Sequence, residues 1–199
     1  RTAFRTLAEK YGFPIRLTSN CNIIFHDIPS ERKEEVDRVL RDHHIPDSAP
    51  MTEARRLGMA CVALPTCGLA LAESERVFQE ILDKIDVHLR ELGLENEPIL
   101  IRMTGCPNGC ARPYNADIAF VGKSHGKYAI FVGGSHRGDR MASMDRKMVL
   151  LEDIPMVVRE YLEEFAHHRQ PGESFTDYWG RTRQLSGEAV PEQFQAIAE

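Results

Sequence analysis

Five cysteines are spread unevenly along the chain: Cys21, Cys61, Cys67, Cys106 and Cys110. Four of them form two tight pairs, with five residues between Cys61 and Cys67, thirty-eight in the gap, and three between Cys106 and Cys110. An odd total does not close into a disulfide framework, and paired thiols point instead to metal chemistry in a reducing compartment. Thiolates are soft donors, and four of them suit an iron–sulfur cubane, a [4Fe-4S] cluster. Structural zinc is the rival; its ligand pairs usually stand about two to four residues apart, which admits the second pair and not the first. A lone cysteine is often a small buried apolar residue, and that is the reading for Cys21.

The neighbours of the pairs fit a bulky, negatively charged guest. Cys106-Pro-Asn-Gly-Cys110 follows the apolar run Ile99 to Met103, which reads as a buried strand. Pro-Asn-Gly forces a tight turn, and Gly109 lets the backbone approach a ligand closely. Thr104 and Gly105 keep that approach small, and backbone N–H groups of such a turn can face sulfur. Cys67 stands just before a long amphipathic stretch, whose helical N-terminus would favour a thiolate or cluster. Arg112 could offset cluster charge or form a surface ion pair.

Elements must position these residues. Pro14 to Thr18 and Asn22 to Phe25 read as short strands, followed by a helix from Ser30, a candidate N-cap, to about His43. The turn-rich residues 45–52 read as a boundary. Val77, Ile81, Ile85, Leu89 and Leu92 recur at helical spacing, which predicts a helix over about 70–92 closed by Gly93. Ile118 to Val121 and Tyr128 to Val132 read as strands joined by a Gly-Lys-Ser-His-Gly turn, and Ile154 to Phe165 as a helix. Beyond Gly172 the pattern weakens and no element is assigned. Arg137, Arg140, Arg146 and Lys147, interrupted by Asp139 and Asp145, read as a solvated loop. His43-His44 and His167-His168 lack partners at ligand spacing, and Tyr178 and Trp179 read as packing residues.

Bulk properties exclude some functions. The net charge of −5 argues against a general nucleic-acid surface, and no apolar run approaches the length of a membrane span. The chain starts at Arg1, without an initiator Met or a signal-peptide pattern. No G-x-G-x-x-G fingerprint is present, so a nicotinamide or flavin would bind a different subunit.

The motifs themselves carry a resemblance. Met59-Ala-Cys-Val-Ala-Leu-Pro-Thr-Cys67 with Leu69-Ala-Leu-Ala-Glu-Ser-Glu-Arg76, and Thr104-Gly-Cys-Pro-Asn-Gly-Cys-Ala-Arg-Pro-Tyr114, resemble the two cluster motifs of the siroheme and [4Fe-4S] nitrite/sulfite reductase family, in its sulfite reductase hemoprotein branch. Ile15-Arg-Leu-Thr-Ser-Asn-Cys-Asn22, Val132-Gly-Gly134 and Glu173-Ser-Phe-Thr-Asp177 extend the likeness, which runs from about residue 4 to about residue 181.

The resemblance implies an α+β fold: a ferredoxin-like half-domain over 1–47, a siroheme and [4Fe-4S] binding α/β domain over 53–170, and a C-terminal extension over 171–199. It implies that Cys61, Cys67, Cys106 and Cys110 ligate one [4Fe-4S] cluster, and that Cys110 also bridges to a siroheme iron and so sits at the catalytic centre. Asn108 would lie close to the cofactors, and Arg112 could contact a siroheme carboxylate. Cys21 stands where the family usually has a Gln near the siroheme. The implied reaction is six-electron reduction of sulfite to sulfide, in assimilatory sulfite reductase of the cytoplasm or a plastid stroma. The implied electron donor is a ferredoxin or an NADPH-dependent flavoprotein; Ala111-Arg-Pro-Tyr114 looks more like the ferredoxin-dependent branch. The family's substrate-binding cations come from an N-terminal half, so this chain is expected to be the C-terminal part of a longer enzyme. Nitrite reductases usually have Thr-Gly after the first cysteine and an aromatic before the second, where Val62-Ala63 and Thr66 stand here. A non-catalytic electron-transfer or zinc-binding module is the alternative from another class.

Overall fold

The computed structural model describes residues 1–20, 22–45 and 50–183. Cys21 and the end of the C-terminal extension, residues 184–199, lie outside the described residues.

The chain begins with helix α1 (Thr2–Tyr11), which sequence periodicity does not announce because it buries only Ala3 and Leu7. Strands β1 (Ile15–Leu17) and β2 (Ile23–Phe25) form an antiparallel hairpin with Ile15 opposite Phe25. Helix α2 (Lys33–Asp42) follows, entered through a single 3-10 turn over Ser30–Arg32. The expected Ser30 cap is absent: Ser30 lies inside that turn, which has no side-chain cap. Ile15, Leu17, Ile23 and Ile24 all stay exposed, so the hairpin buries neither face.

The second unit is built on a five-stranded sheet in the order β3 (Met59–Ala60), β4 (Ile101–Thr104), β5 (Ile118–Ser124), β6 (Lys127–Val132), β7 (Ser143–Leu150). The first three strands are parallel and the last two join antiparallel. Parallel neighbours need a long crossover. Between β3 and β4 that crossover is helix α4 (Glu75–Glu91), after a short helix α3 (Glu53–Leu57) has led into β3. Helices α5 (Ile154–His168) and α6 (Phe175–Thr182) complete the chain.

Strand alternation divides the side chains. Ile101, Met103, Ile118, Phe120, Tyr128, Ile130 and Val132 face one side, against Phe78, Ile81, Leu82, Ile85 and Leu89 of α4 and the helices α5 and α6. Each buried side chain of that helix contributes about 1.5–3 kcal/mol before conformational entropy is subtracted. Tyr178 and Trp179 belong to this core, as expected for packing residues. Ala119, Val121, Ala129 and Phe131 face the other side, covered thinly by Tyr114, Ala116 and Ala142.

Three sequence expectations need correction. The long helix starts at Glu75 rather than near residue 70, because the N–H groups of Leu71 and Ala72 bond the Gly105 carbonyl at 2.8 and 3.0 Å and hold that segment out of a helix. The β5–β6 turn is only His125-Gly126, since both strands run further than their apolar cores, with Gly126 at φ 66°. Arg146 and Lys147 are not in a loop: they lie on β7, an edge strand whose charged exposed residues hide its periodicity. Arg140 reaches across to α6, bonding the Thr176 carbonyl at 2.9 Å and Asp177 at 3.2 Å.

Candidate functional site

Parallel strands β3 and β4 end side by side, with Ala60 opposite Met103. The residues that leave these two ends are therefore neighbours, although they are separated by more than forty positions in the chain. Cys61 leaves the first end. Its N–H bonds the Met103 carbonyl at 3.1 Å, and its sulfur lies 3.5 Å from Thr104 Oγ1. The N–H of Gly105 donates to Cys61 Sγ at 3.3 Å. So the residue before the second cysteine pair donates to a sulfur of the first.

Gly105 is required by closeness. A Cβ there would stand 2.6 Å from both Ala63 Cβ and the Ala72 carbonyl oxygen. Two backbones and a sulfur share this spot, which leaves room for hydrogen only. Gly122, on β5, clears the other side: a Cβ there would collide with the Gly105 carbonyl.

The turn from Cys61 to Cys67 folds back on itself. Cys67 N–H bonds the Ala63 carbonyl at 2.7 Å, and Ala63 is buried at φ 42°, the left-handed region that costs a residue bearing a Cβ. The helix α4 approaches Cys61 rather than Cys67: Glu75 N–H bonds the Cys61 carbonyl at 3.1 Å. The expected placement of Cys67 at the helix N-terminus is thus replaced by a backbone tie to Cys61. Ser74, the N-cap, donates its hydroxyl to the Met103 carbonyl at 2.9 Å, and Tyr128 donates to the Glu73 carbonyl at 2.7 Å.

The second turn is shaped differently. Cys106 is buried, and its carbonyl accepts from Thr104 Oγ1 at 3.2 Å and from Gly109 N–H at 3.4 Å. Gly109 has φ 69°, as the Pro-Asn-Gly turn demands. Asn108 and Cys110 are exposed. Tyr114 reaches back to the Pro107 carbonyl at 2.8 Å and packs edge-on against Phe131, with ring centroids 5.1 Å apart. Burial, with Cys106 nearby, pushes the Tyr114 phenol up. Below the turn, buried Arg102 donates to the Arg112 carbonyl at 3.0 Å and to Asn115 Oδ1 at 2.7 Å.

Arg112 has φ 52° and turns its guanidinium to the hairpin between β1 and β2, donating to the Ser19 carbonyl at 3.0 Å and to Asn20 Oδ1 at 2.6 Å. Both partners are uncharged. This contact ties Ser19 and Asn20 to a residue two positions beyond Cys110.

Four thiols, none in a disulfide, thus come from two turns at one end of the sheet. Among the described residues, no three of Cys, His, Asp and Glu converge on a single point as one metal ion would require. A cubane sets an iron at each thiolate and asks for a wider spread than one ion does. Soft donors, a sulfur-directed N–H and side-chain-free backbone at Gly105 fit such a group.

Residues 53–196 match the family described as nitrite and sulphite reductase 4Fe-4S domain. The chain belongs to this family. Residues 2–43 match its companion, the nitrite/sulfite reductase ferredoxin-like half domain. The sulfite reductase (NADPH) hemoprotein beta-component of Chromohalobacter salexigens is 41% identical over 98% of this chain and 34% of its own length. The hemoprotein beta-component of Staphylococcus saprophyticus is 44% identical over 89% of this chain and 31% of its own. The chain therefore spans about a third of the length of these curated relatives. The solved NirA protein of Mycobacterium tuberculosis superimposes with a TM-score of 0.78 at 26% identity, over 90% of this chain and 35% of that one. Siroheme and a [4Fe-4S] cluster are the cofactors this membership implies, and the mixed α and β fold with its half-domain is the family's. Among the described residues no helix is long and apolar enough to cross a membrane.

Residue types alone do not single out Arg76, Ser74, Tyr128 or Arg102, which hold the two turns. Ser74 and Arg76 enter the sequence reading only within the Leu69–Arg76 motif, which opens the long apolar periodicity, and Arg102 is a lone cation inside an apolar strand.

Proposed function

We propose that this chain is the C-terminal part of an assimilatory sulfite reductase, with Cys61, Cys67, Cys106 and Cys110 ligating one [4Fe-4S] cluster. Cys110 is also the bridging ligand to a siroheme, at which sulfite is reduced to sulfide. The observation that carries this reading is the junction of the two cysteine turns at Gly105, whose N–H meets Cys61 Sγ at 3.3 Å. When bound, the cluster and siroheme supply the one-electron steps; the protein supplies binding, orientation and charge.

The chain's own residues divide that work. Cys106 is the buried member of the set, and at Cys61 the Gly105 N–H stabilises thiolate charge. Cys110 and Asn108 are exposed on the outer turn and so open to a macrocycle. Arg112, two residues beyond Cys110, has no ion pair among the described residues and is suited to a siroheme carboxylate, and its bonds to Ser19 and Asn20 tie the half-domain to the same edge. The exposed apolar side chains of the hairpin offer the preceding part of the enzyme a surface to cover.

The division into a half-domain over 1–47, a cofactor domain over 53–170 and an extension over 171–199 is proposed with this reading, as is a cytoplasmic or stromal setting. For the electron donor, Ala111-Arg-Pro-Tyr114 favours ferredoxin, whereas the curated relatives are named for NADPH. The test is turnover by the full-length enzyme, this chain with its preceding part, supplied with a reduced artificial one-electron donor. Sulfide should form from sulfite, and Cys110→Ser should abolish it; nitrite reduction without sulfide formation would overturn the substrate assignment. Replacing the artificial donor by reduced ferredoxin or by an NADPH flavoprotein separates the two donors.

A further inference from the structure

The outer face of the Cys61–Cys67 turn is held by one side chain. Arg76, on the first turn of α4, donates through one nitrogen to the Leu64 carbonyl at 2.5 Å and the Val62 carbonyl at 3.2 Å. Its other nitrogen meets Thr66 Oγ1 at 3.3 Å. The three acceptors are spaced along the turn between the two cysteines, so a single planar fork spans it. The inner face carries the left-handed residue Ala63, with the Cys67 N–H on its carbonyl. Without the outer tie, the middle of the turn keeps that bond and the packing of Ala63, while the Glu75 and Gly105 N–H groups hold Cys61 at its start.

Arg76 is itself aimed. Glu73 lies 3.4 Å from it through both carboxylate oxygens and also accepts from Ser74 N–H at 2.8 Å. The Glu73 carbonyl is fixed to the sheet by Tyr128. A lysine could not reproduce the fork, because its point charge lacks the fixed spread of donors that a guanidinium presents.

We propose that Arg76 is the positioning residue for the first ligand pair, setting the separation of Cys61 and Cys67 for cluster capture. The proposal rests on the cluster reading above. It deepens that reading by naming a residue that touches neither the cluster nor the substrate.

The test uses the anaerobic full-length holoenzyme as wild type, Arg76→Ala, Arg76→Lys and the surface control Arg159→Ala. Iron per chain, iron release to a chelator, the electron paramagnetic resonance of the reduced cluster and Tm are measured for each. Arg76→Ala should release iron about 10–100-fold faster, the usual effect of losing a group that orients a metal ligand. Its cluster resonance should shift while Tm stays at the wild-type value. Arg76→Lys should fall between, and Arg159→Ala should match the wild type. Wild-type release and resonance in Arg76→Ala would overturn the proposal and leave the cluster reading standing. A wild-type protein without a cluster would overturn both. Should Arg76→Ala fail to fold, Arg76→Lys decides: faster release supports the proposal and wild-type release overturns it.

Discussion

The two cysteine turns leave adjacent strands at the same end of one sheet, yet they are held in opposite ways. The Cys61–Cys67 turn is gripped around its rim: by Glu75 N–H on the Cys61 carbonyl, by Gly105 N–H on the sulfur, and by Arg76 along its outer face. The Cys106–Cys110 turn is held from beneath, by Arg102 and Tyr114, and its tip carries exposed Asn108 and Cys110. A frame must resist distortion on all sides, whereas a turn meant to meet another large group needs one open face. The contrast matches the roles proposed for the two pairs, with only the second including a bridging sulfur.

The largest effect should come where the turns meet. Gly105→Ala places a methyl 2.6 Å from Ala63 Cβ and from the Ala72 carbonyl, so one turn must move. Overpacking of this kind costs about 1–3 kcal/mol. Both thermal stability and iron content should fall; a normal iron content would break the claim that the turns are coupled through this glycine.

Next is the foundation of the first turn alone. Tyr128→Phe removes the bond to the Glu73 carbonyl and should cost about 1 kcal/mol by denaturant unfolding. It also has a pH signature. Burial first, then Glu73, pushes the Tyr128 phenol from 10.0 up to about 12. Between those values the folded state holds a proton that the unfolded state has lost, so stability falls as pH rises through this window. The variant should show a shallower alkaline loss, and an unchanged slope would contradict the assignment.

The smallest global effect is expected beneath the second turn. Burial, then the charge of Arg112, lowers the pKa of Arg102, and its buried Nε has no partner. Removing an imperfectly compensated buried charge offsets the loss of its bonds, so Arg102→Met should stay within about 1 kcal/mol of wild type. Locally, amide exchange at Arg112 and Ala116 should rise about tenfold, as expected for one or two lost hydrogen bonds. Unchanged exchange there would mean that the second turn does not depend on Arg102.

Sequence carried some of this arrangement and not the rest, for physical reasons. The cysteines are legible because thiol pairs have few other uses, and the central helix because Phe78 to Leu89 keep a clean period. Its start is not legible: Leu69 and Leu71 continue the apolar rhythm but are 70% and 46% exposed, while Leu71 and Ala72 bond the Gly105 carbonyl. β3 has two residues and exists only through its parallel pairing with β4, a contact no local pattern encodes. β7 is an exposed edge, and its Asp145-Arg146-Lys147 breaks any alternation. The turn junction depends on residues 61 and 105, and such long-range closure leaves no mark in either segment.

The most direct test is iron and acid-labile sulfide per chain, with an absorption spectrum, on the anaerobic full-length protein as wild type, Cys61→Ser and Cys110→Ser. Wild type should carry about five irons, four from a cubane and one from a siroheme, and about four acid-labile sulfides, with a siroheme spectrum. Cys61→Ser should lose cluster iron, and Cys110→Ser should lose both the cluster and the siroheme spectrum. A colourless wild-type protein containing zinc, or a Cys110→Ser variant with wild-type cofactor content, would contradict the assignment of the four cysteines.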